Sequence, residues 1–192
     1  MKKKLVAVVG MAGSGKTEAA FYLQKKGFFF VRFGQITLDE VMKRGLEVNE
    51  KNERMIREEF RKKYGMAAYA ILNLPKFREG LKKFHVVGDD LMSWEEYLFL
   101  KKEFGEDLII LAIYASSKIR YQRLKRLKLD EKAVHRPFSE EEARSRDKAE
   151  IENLHKAGPI AMADYTIINE GTVGELHQNL EKFLEKFGLY GS

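Results

Sequence analysis

Gly10-Met11-Ala12-Gly13-Ser14-Gly15-Lys16-Thr17 directly follows the apolar run Leu5-Val6-Ala7-Val8-Val9, and this junction decides the fold. The octapeptide fills GxxxxGK[ST], the phosphate-binding P-loop, in the context that gives the motif meaning: a β-like run before it and a helix-compatible segment after it. Gly10, Gly13 and Gly15 let the backbone curl so that successive N–H groups, those of Ser14 and Glu18 included, point at a polyphosphate. Lys16 has the reach for the β and γ phosphates, and the Thr17 hydroxyl suits Mg²⁺. The loop opens a helix expected to run through Lys26, whose positive N-terminal dipole also faces the anion.

The chain of 192 residues is long enough for one good core, so a single domain over residues 1–192 is expected. No stretch approaches the ~18 apolar residues of a membrane span, and Met1-Lys2-Lys3-Lys4 leads into an apolar run too short for a secretory signal. A cytoplasmic protein with no membrane partner is expected. The absence of Cys removes disulfides and thiolate ligands, and the four His show no metal-ligand spacing. A net charge of +6 favours anionic ligands and brings nucleic acid into consideration. The oligomeric state is not legible.

Apolar β-like runs alternate with longer amphipathic segments, the pattern of a parallel sheet covered by helices. Strands are expected near residues 5–9, 28–33, 85–87, 108–114 and 165–168, and the Phe28-Phe29-Phe30 run with Phe33 reads as buried core. Helices are expected over 50–64, 67–81, 94–104, 118–128, 140–156 and 173–187. Residues 34–83 are more than a plain crossover requires, so they are a candidate acceptor site. Residues 129–159 are charged, carry His135, Arg136, Arg144 and Arg146, and are a candidate lid.

Phosphoryl transfer also needs a carboxylate near the metal or the attacking oxygen. His85-Val86-Val87-Gly88-Asp89-Asp90 is a short strand ending in acids, and in an open parallel sheet the strand ends share one rim with the phosphate loop. Asp89, and secondarily Asp90, are therefore site candidates. Cations that stabilise the moving phosphoryl group are sought at Arg123, Arg144 and Arg146.

Taken in order along the chain, these residues resemble nucleoside monophosphate kinases and dephospho-CoA kinases, most closely the archaeal adenylate-kinase-related, dephospho-CoA-kinase-like proteins. The resemblance runs from the P-loop through Phe33-Gly34-Gln35, Arg61 with Gly65, Asp89, Arg120 and Arg123, and Arg146-Asp147 to Ala163-Asp164-Tyr165-Thr166-Ile167-Ile168-Asn169. It implies an α/β P-loop NTPase three-layer sandwich, with a five-stranded parallel sheet, a helical acceptor insert at 34–83 and a lid at 129–159. It also implies transfer of the γ-phosphoryl of ATP, with Mg²⁺, to a small acceptor such as dephospho-CoA or a nucleoside monophosphate. By the same resemblance Asp89 contacts magnesium or acceptor, Arg61 an acceptor phosphate, Arg144 and Arg146 close the lid, Asn169 lies near the adenine, and Gly34 and Asp90 line the acceptor side. The pattern also departs from those families: Gln35, Leu38 and Met92 stand where an acid and two arginines are usual, and the acidic motif near the second strand is missing.

The alternative is a P-loop ATPase acting as an RNA- or protein-linked switch, which the basic charge allows although aromatic interleaving is absent. No N-K-x-D stretch occurs, which disfavours a guanine-specific GTPase.

Overall fold

The computed structural model describes residues 2–126 and 138–190. The chain runs β1 (Leu5–Val9), α1 (Lys16–Lys25), β2 (Phe29–Arg32), α2 (Gln35–Lys43), α3 (Glu50–Tyr64), α4 (Ala68–Leu81), β3 (Val86–Asp89), α5 (Trp94–Phe104), β4 (Leu108–Tyr114), α6 (Ser117–Lys125), α7 (Glu140–Leu154), α8 (Ala157–Ala161), β5 (Tyr165–Ile168) and α9 (Val173–Phe187). The five strands are all parallel, in the order β2-β3-β1-β4-β5. β1 is fully buried because it lies between β3 and β4 with helices on both faces, which is why it reads as an unbroken apolar run.

Alternate residues of β1 feed two cores. Leu5, Ala7 and Val9 join Phe77 of α4, Leu100 of α5 and Ile110, whereas Val6 and Val8 join Leu23 of α1 and Leu180 and Phe183 of α9. Three layers result. Leu176, Leu180, Phe183 and Leu184 recur at helical spacing, so α9 presents one apolar stripe to the sheet. Capping boxes at Ser93/Glu96, Ser139/Glu142 and Thr172/Glu175 fix where α5, α7 and α9 begin.

Several boundaries differ from expectation for identifiable reasons. β3 extends two residues beyond 85–87, because Gly88 and Asp89 still pair with Ala7 and Val8, and this carries Asp89 onto the sheet's C-terminal rim. The phenylalanine run is only partly core: Phe28 and Phe33 are buried, but β2 is an edge strand, leaving Phe29 38% exposed and Phe30 stacked on Phe21. The 34–83 insert contains a third helix, α2, besides the two expected. The helix expected over 140–156 stops at Leu154, where His155 takes a left-handed conformation and the Lys156 N–H donates to the Glu150 carbonyl. That turn buries Lys156. The first residues of the proposed lid, with His135 and Arg136, and the end of the helix expected over 118–128 lie outside the described residues.

Candidate functional site

The P-loop wraps the N-terminus of α1 at the end of β1. The Ala19 N–H donates to the Gly15 carbonyl, which leaves the earlier N–H groups of the first turn, those of Lys16, Thr17 and Glu18, without helical acceptors. Glycine is obligatory in this loop. Gly13 (φ +79°) and Gly15 (φ +99°) sit in left-handed conformations, and a Cβ on Gly15 would stand 2.4 Å from the Asn169 amide nitrogen. The Ser14 hydroxyl is buried and, among the described residues, has no hydrogen-bond partner. An anion in the loop would meet an orphaned hydroxyl, the free N–H groups and the Lys16 ammonium together, so the residues present fit a polyphosphate.

Lys16 Nζ donates to the Met11 carbonyl (3.3 Å) and lies 3.4 Å from Asp90 Oδ1. Burial pulls the Lys16 pKa down, partly offset by the charge of Asp90. The Thr17 hydroxyl donates to Asp89 Oδ2 at 3.2 Å. Burial, reinforced by the neighbouring charge of Asp90, pushes the Asp89 pKa up to about 6. Threonine hydroxyl and carboxylate together are hard oxygen donors of the kind Mg²⁺ takes, beside a phosphate cradle that would complete its shell.

Asp90 follows β3 with φ +75°, a strained conformation for a residue with a side chain. That backbone aims its carboxylate at two ammonium groups: Oδ1 lies 3.4 Å from Lys16 Nζ and 3.4 Å from Lys156 Nζ. Burial opposes ionisation of Asp90, but Lys156 and Lys16 outweigh it and hold the pKa well below the usual carboxylate range. Lys156, 1% exposed, also bonds Glu150 at 3.0 Å, and Glu150 accepts from Arg146 Nε at 3.0 Å. One charged chain thus runs from the P-loop lysine through Asp90 to α7.

The candidate acceptor residues converge as well. A cavity of about 590 Å³ opens between the β2 end, α2, α3 and the β3–α5 turn, and Gly34, Arg61 and Asp90 all line it. Leu38 and Met92, the two departures from an arginine pattern, line it too. Glu96 forms part of the wall, accepting from the Met92 and Ser93 N–H groups. Burial pushes its pKa up to about 7 despite those bonds.

Other candidates fall elsewhere. Arg123 Nη1 donates weakly to the Gly13 carbonyl at 3.4 Å, and Asn169 is buried, donating to the Ser14 carbonyl at 2.8 Å. Both therefore hold P-loop backbone. The Glu18 side chain bonds His177 of α9, leaving only its backbone on the cradle. Arg144 is largely exposed and bonds Glu140 on its own helix. Sequence reasoning passed over Arg120 as a site residue. It is buried, forks onto both oxygens of Asp147 at 2.9 and 2.6 Å, and donates to the Ala12 carbonyl at 3.0 Å, tying α7 to the P-loop. Lys156 and Arg32 were also missed, because each gains meaning only from residues distant in the chain.

Known proteins extend this picture. The sequence pattern of the AAA domain matches residues 6–151. The chain belongs to the AAA-domain family. It is also 34% identical over 185 residues to a UPF0200 protein of Thermococcus onnurineus, covering 95% of this chain and 97% of that protein. It is 33% identical over 187 residues to a UPF0200/UPF0201 protein of Archaeoglobus fulgidus, of whose length it spans only 56%. Among solved structures, TT1252 from Thermus thermophilus superposes with a TM-score of 0.64 at 18% identity over 97% of this chain and 98% of that one. Shikimate kinase from Aquifex aeolicus gives 0.55 at 20% identity (97% and 99% covered), and a gluconokinase from Sinorhizobium meliloti 0.54 at 12% (100% and 99%). This AAA-domain chain therefore has a P-loop kinase-like fold. Among the described residues no helix is long and apolar enough to cross a membrane.

Proposed function

We propose that this protein is an ATP-dependent phosphotransferase that moves the γ-phosphoryl of Mg·ATP to a small acceptor, a nucleoside monophosphate or dephospho-CoA. The observation that carries the proposal is the position of Asp90: its carboxylate touches the P-loop lysine and lines the acceptor cavity. Donor cradle and acceptor pocket therefore meet at one residue, as in-line transfer requires. The fold neighbours described as shikimate kinase and gluconokinase support a small-molecule acceptor.

The P-loop N–H groups and Ser14 would bind the donor phosphates, with Lys16 turning from Met11 and Asp90 to the β and γ oxygens. Thr17 and Asp89 would hold Mg²⁺, which when bound neutralises charge on the phosphates. Arg120 keeps the Ala12 carbonyl fixed, and Asn169 does the same at Ser14, so the cradle is preorganised. Arg61 would steady the acceptor. Arg144 would reach the phosphates only after α7 moves, which makes it a lid residue.

The test is ADP formation from Mg·ATP with and without each of a panel of nucleoside monophosphates, dephospho-CoA and RNA. Strong stimulation by one acceptor is expected. ADP formation that no acceptor raises and RNA does would favour the switch instead. Arg61→Ala should raise the acceptor KM about ten- to a hundredfold, the loss of one charged hydrogen bond, with little change for ATP.

A further inference from the structure

Lys156 is a buried charge to which the donor and acceptor readings give no task. Its side chain is 1% exposed and does not line the acceptor cavity, so it offers no face to a ligand. Two carboxylates hold its ammonium, Glu150 at 3.0 Å and Asp90 at 3.4 Å. Backbone fixes both ends of the Lys156–Asp90 pair. The left-handed turn at His155 and the bond from the Lys156 N–H to the Glu150 carbonyl place Lys156. Beyond it, α8 seats Gly158 so closely on Trp94 that a Cβ there would stand 2.6 Å from the ring. Asp90 is held between Asp89, in register with Val8, and Leu91, whose N–H donates to the Val8 carbonyl at 3.0 Å. Lys16 is the third member, and its contacts are the easiest to exchange. They are long, 3.3 Å to the Met11 carbonyl and 3.4 Å to the same Asp90 Oδ1 that Lys156 touches.

We infer that Lys156 is a positioning residue for the donor nucleotide: by holding Asp90 it frees Lys16 to leave that carboxylate for the β and γ phosphates, and it screens those phosphates from the carboxylate, without touching them. This rests on the reading of the P-loop as the ATP cradle and is independent of which acceptor follows. Before nucleotide binds, two ammonium groups, Lys16 and Lys156, face two carboxylates, Asp90 and Glu150, and Arg146 lies on the other oxygen of Glu150 at 3.0 Å. ATP would draw Lys16 away and bring several negative charges to within one lysine side chain's reach of Asp90. A carboxylate left there without a cation would repel the phosphates and pull Lys16 back, and both effects are strong where water is excluded. Lys156 prevents this because it cannot follow the phosphates; the turn at His155 and Glu150 keep it in place. Of the charges that keep Asp90 ionised against its burial, Lys156 contributes most, ahead of Lys16 and Arg146.

The experiment is calorimetric titration with the Mg²⁺ complex of a non-hydrolysable ATP analogue, on variants shown by circular dichroism to be folded. Lys156→Met should weaken binding at least ~10-fold, the effect of one charged hydrogen bond acting through Asp90. Asp90→Asn, which keeps the shape and removes the charge, should bind at least as tightly as wild type. In the double variant Lys156→Met/Asp90→Asn, affinity should return to within about threefold of Asp90→Asn alone, because the charge that needed Lys156 is gone. A loss from Lys156→Met as large in the Asp90→Asn background as in wild type would overturn the inference, since it would show a direct contact or a merely structural role. Unchanged binding by Lys156→Met would overturn it too. Should that single variant not fold, the other two decide: weaker binding by Asp90→Asn than by wild type, or by the double variant than by Asp90→Asn by ~10-fold, overturns it. Wild-type protein that bound no nucleotide would overturn the P-loop reading as well.

Discussion

Replacing Asp89 by Asn should stabilise the ligand-free protein while destroying its activity, and the size of the gain follows from the site. In the folded protein burial and the nearby charge of Asp90 lift the Asp89 pKa from 3.8 to about 6. An acid whose folded pKa is raised stabilises the fold only while protonated. The folded state keeps its proton between those two values and the unfolded chain does not, so stability falls as pH rises from about 4 to about 6 and stays lower above that. Roughly two pH units at ~1.4 kcal/mol each set a ceiling of about 3 kcal/mol for the penalty at neutral pH. Asn removes the charge and still accepts the Thr17 hydroxyl through its carbonyl oxygen. We therefore expect Asp89→Asn to gain about 1–3 kcal/mol at about pH 7.5 and almost nothing at about pH 4. With a urea m-value near 2 kcal/mol/M, that shifts the midpoint by about 0.5–1.5 M at the higher pH. Turnover in the same variant should fall by a factor of ~100 or more, well beyond any loss in ATP affinity. Equal midpoint shifts at both pH values, or a loss of stability at the higher one, would refute the electrostatic account of Asp89.

Lys16→Ala should abolish transfer and weaken ATP binding with the fold intact, since Lys156 remains to hold Asp90; calorimetric ATP titration beside thermal unfolding checks both halves. Arg120→Met should cost about 3 kcal/mol in chemical denaturation by leaving Asp147 buried without its bidentate partner, and adding Asp147→Leu should recover much of that. Residues 138–159 should exchange amide hydrogens more slowly when nucleotide and acceptor are both bound, because Arg144, exposed and paired with Glu140 of its own helix, gains phosphate partners on closure. Unchanged exchange would make α7 a fixed surface helix.

The parts of this molecule legible in its sequence are those governed by local rules. The P-loop follows from glycine spacing after an apolar run, and β1 and β4 are continuous apolar runs because both faces of a central strand are covered. α9 shows its stripe at 3.6-residue spacing. What escaped sequence reasoning depends on distant partners. Asp90 was read as a secondary acid, yet it joins the P-loop to α8 through Lys156, 66 residues away. Arg120 and Asp147 both lay in the resemblance, but their clamp exists only once α6 packs on α7. Arg32 looks like an ordinary edge-strand charge until the sheet register sets it beside Asp89 and at the wall of the acceptor cavity. α2 went unlisted because its two buried residues, Thr37 and Val41, are too few to imprint a periodic pattern.

The central claim is that donor cradle and acceptor cavity act on one phosphoryl group. It is tested most directly by following radiolabel from γ-labelled ATP in the wild-type protein, with Lys16→Ala as control. The account predicts label recovered in the small-molecule acceptor, stoichiometric with ADP and absent in the variant. Label appearing only as inorganic phosphate, at a rate indifferent to every acceptor, would contradict it.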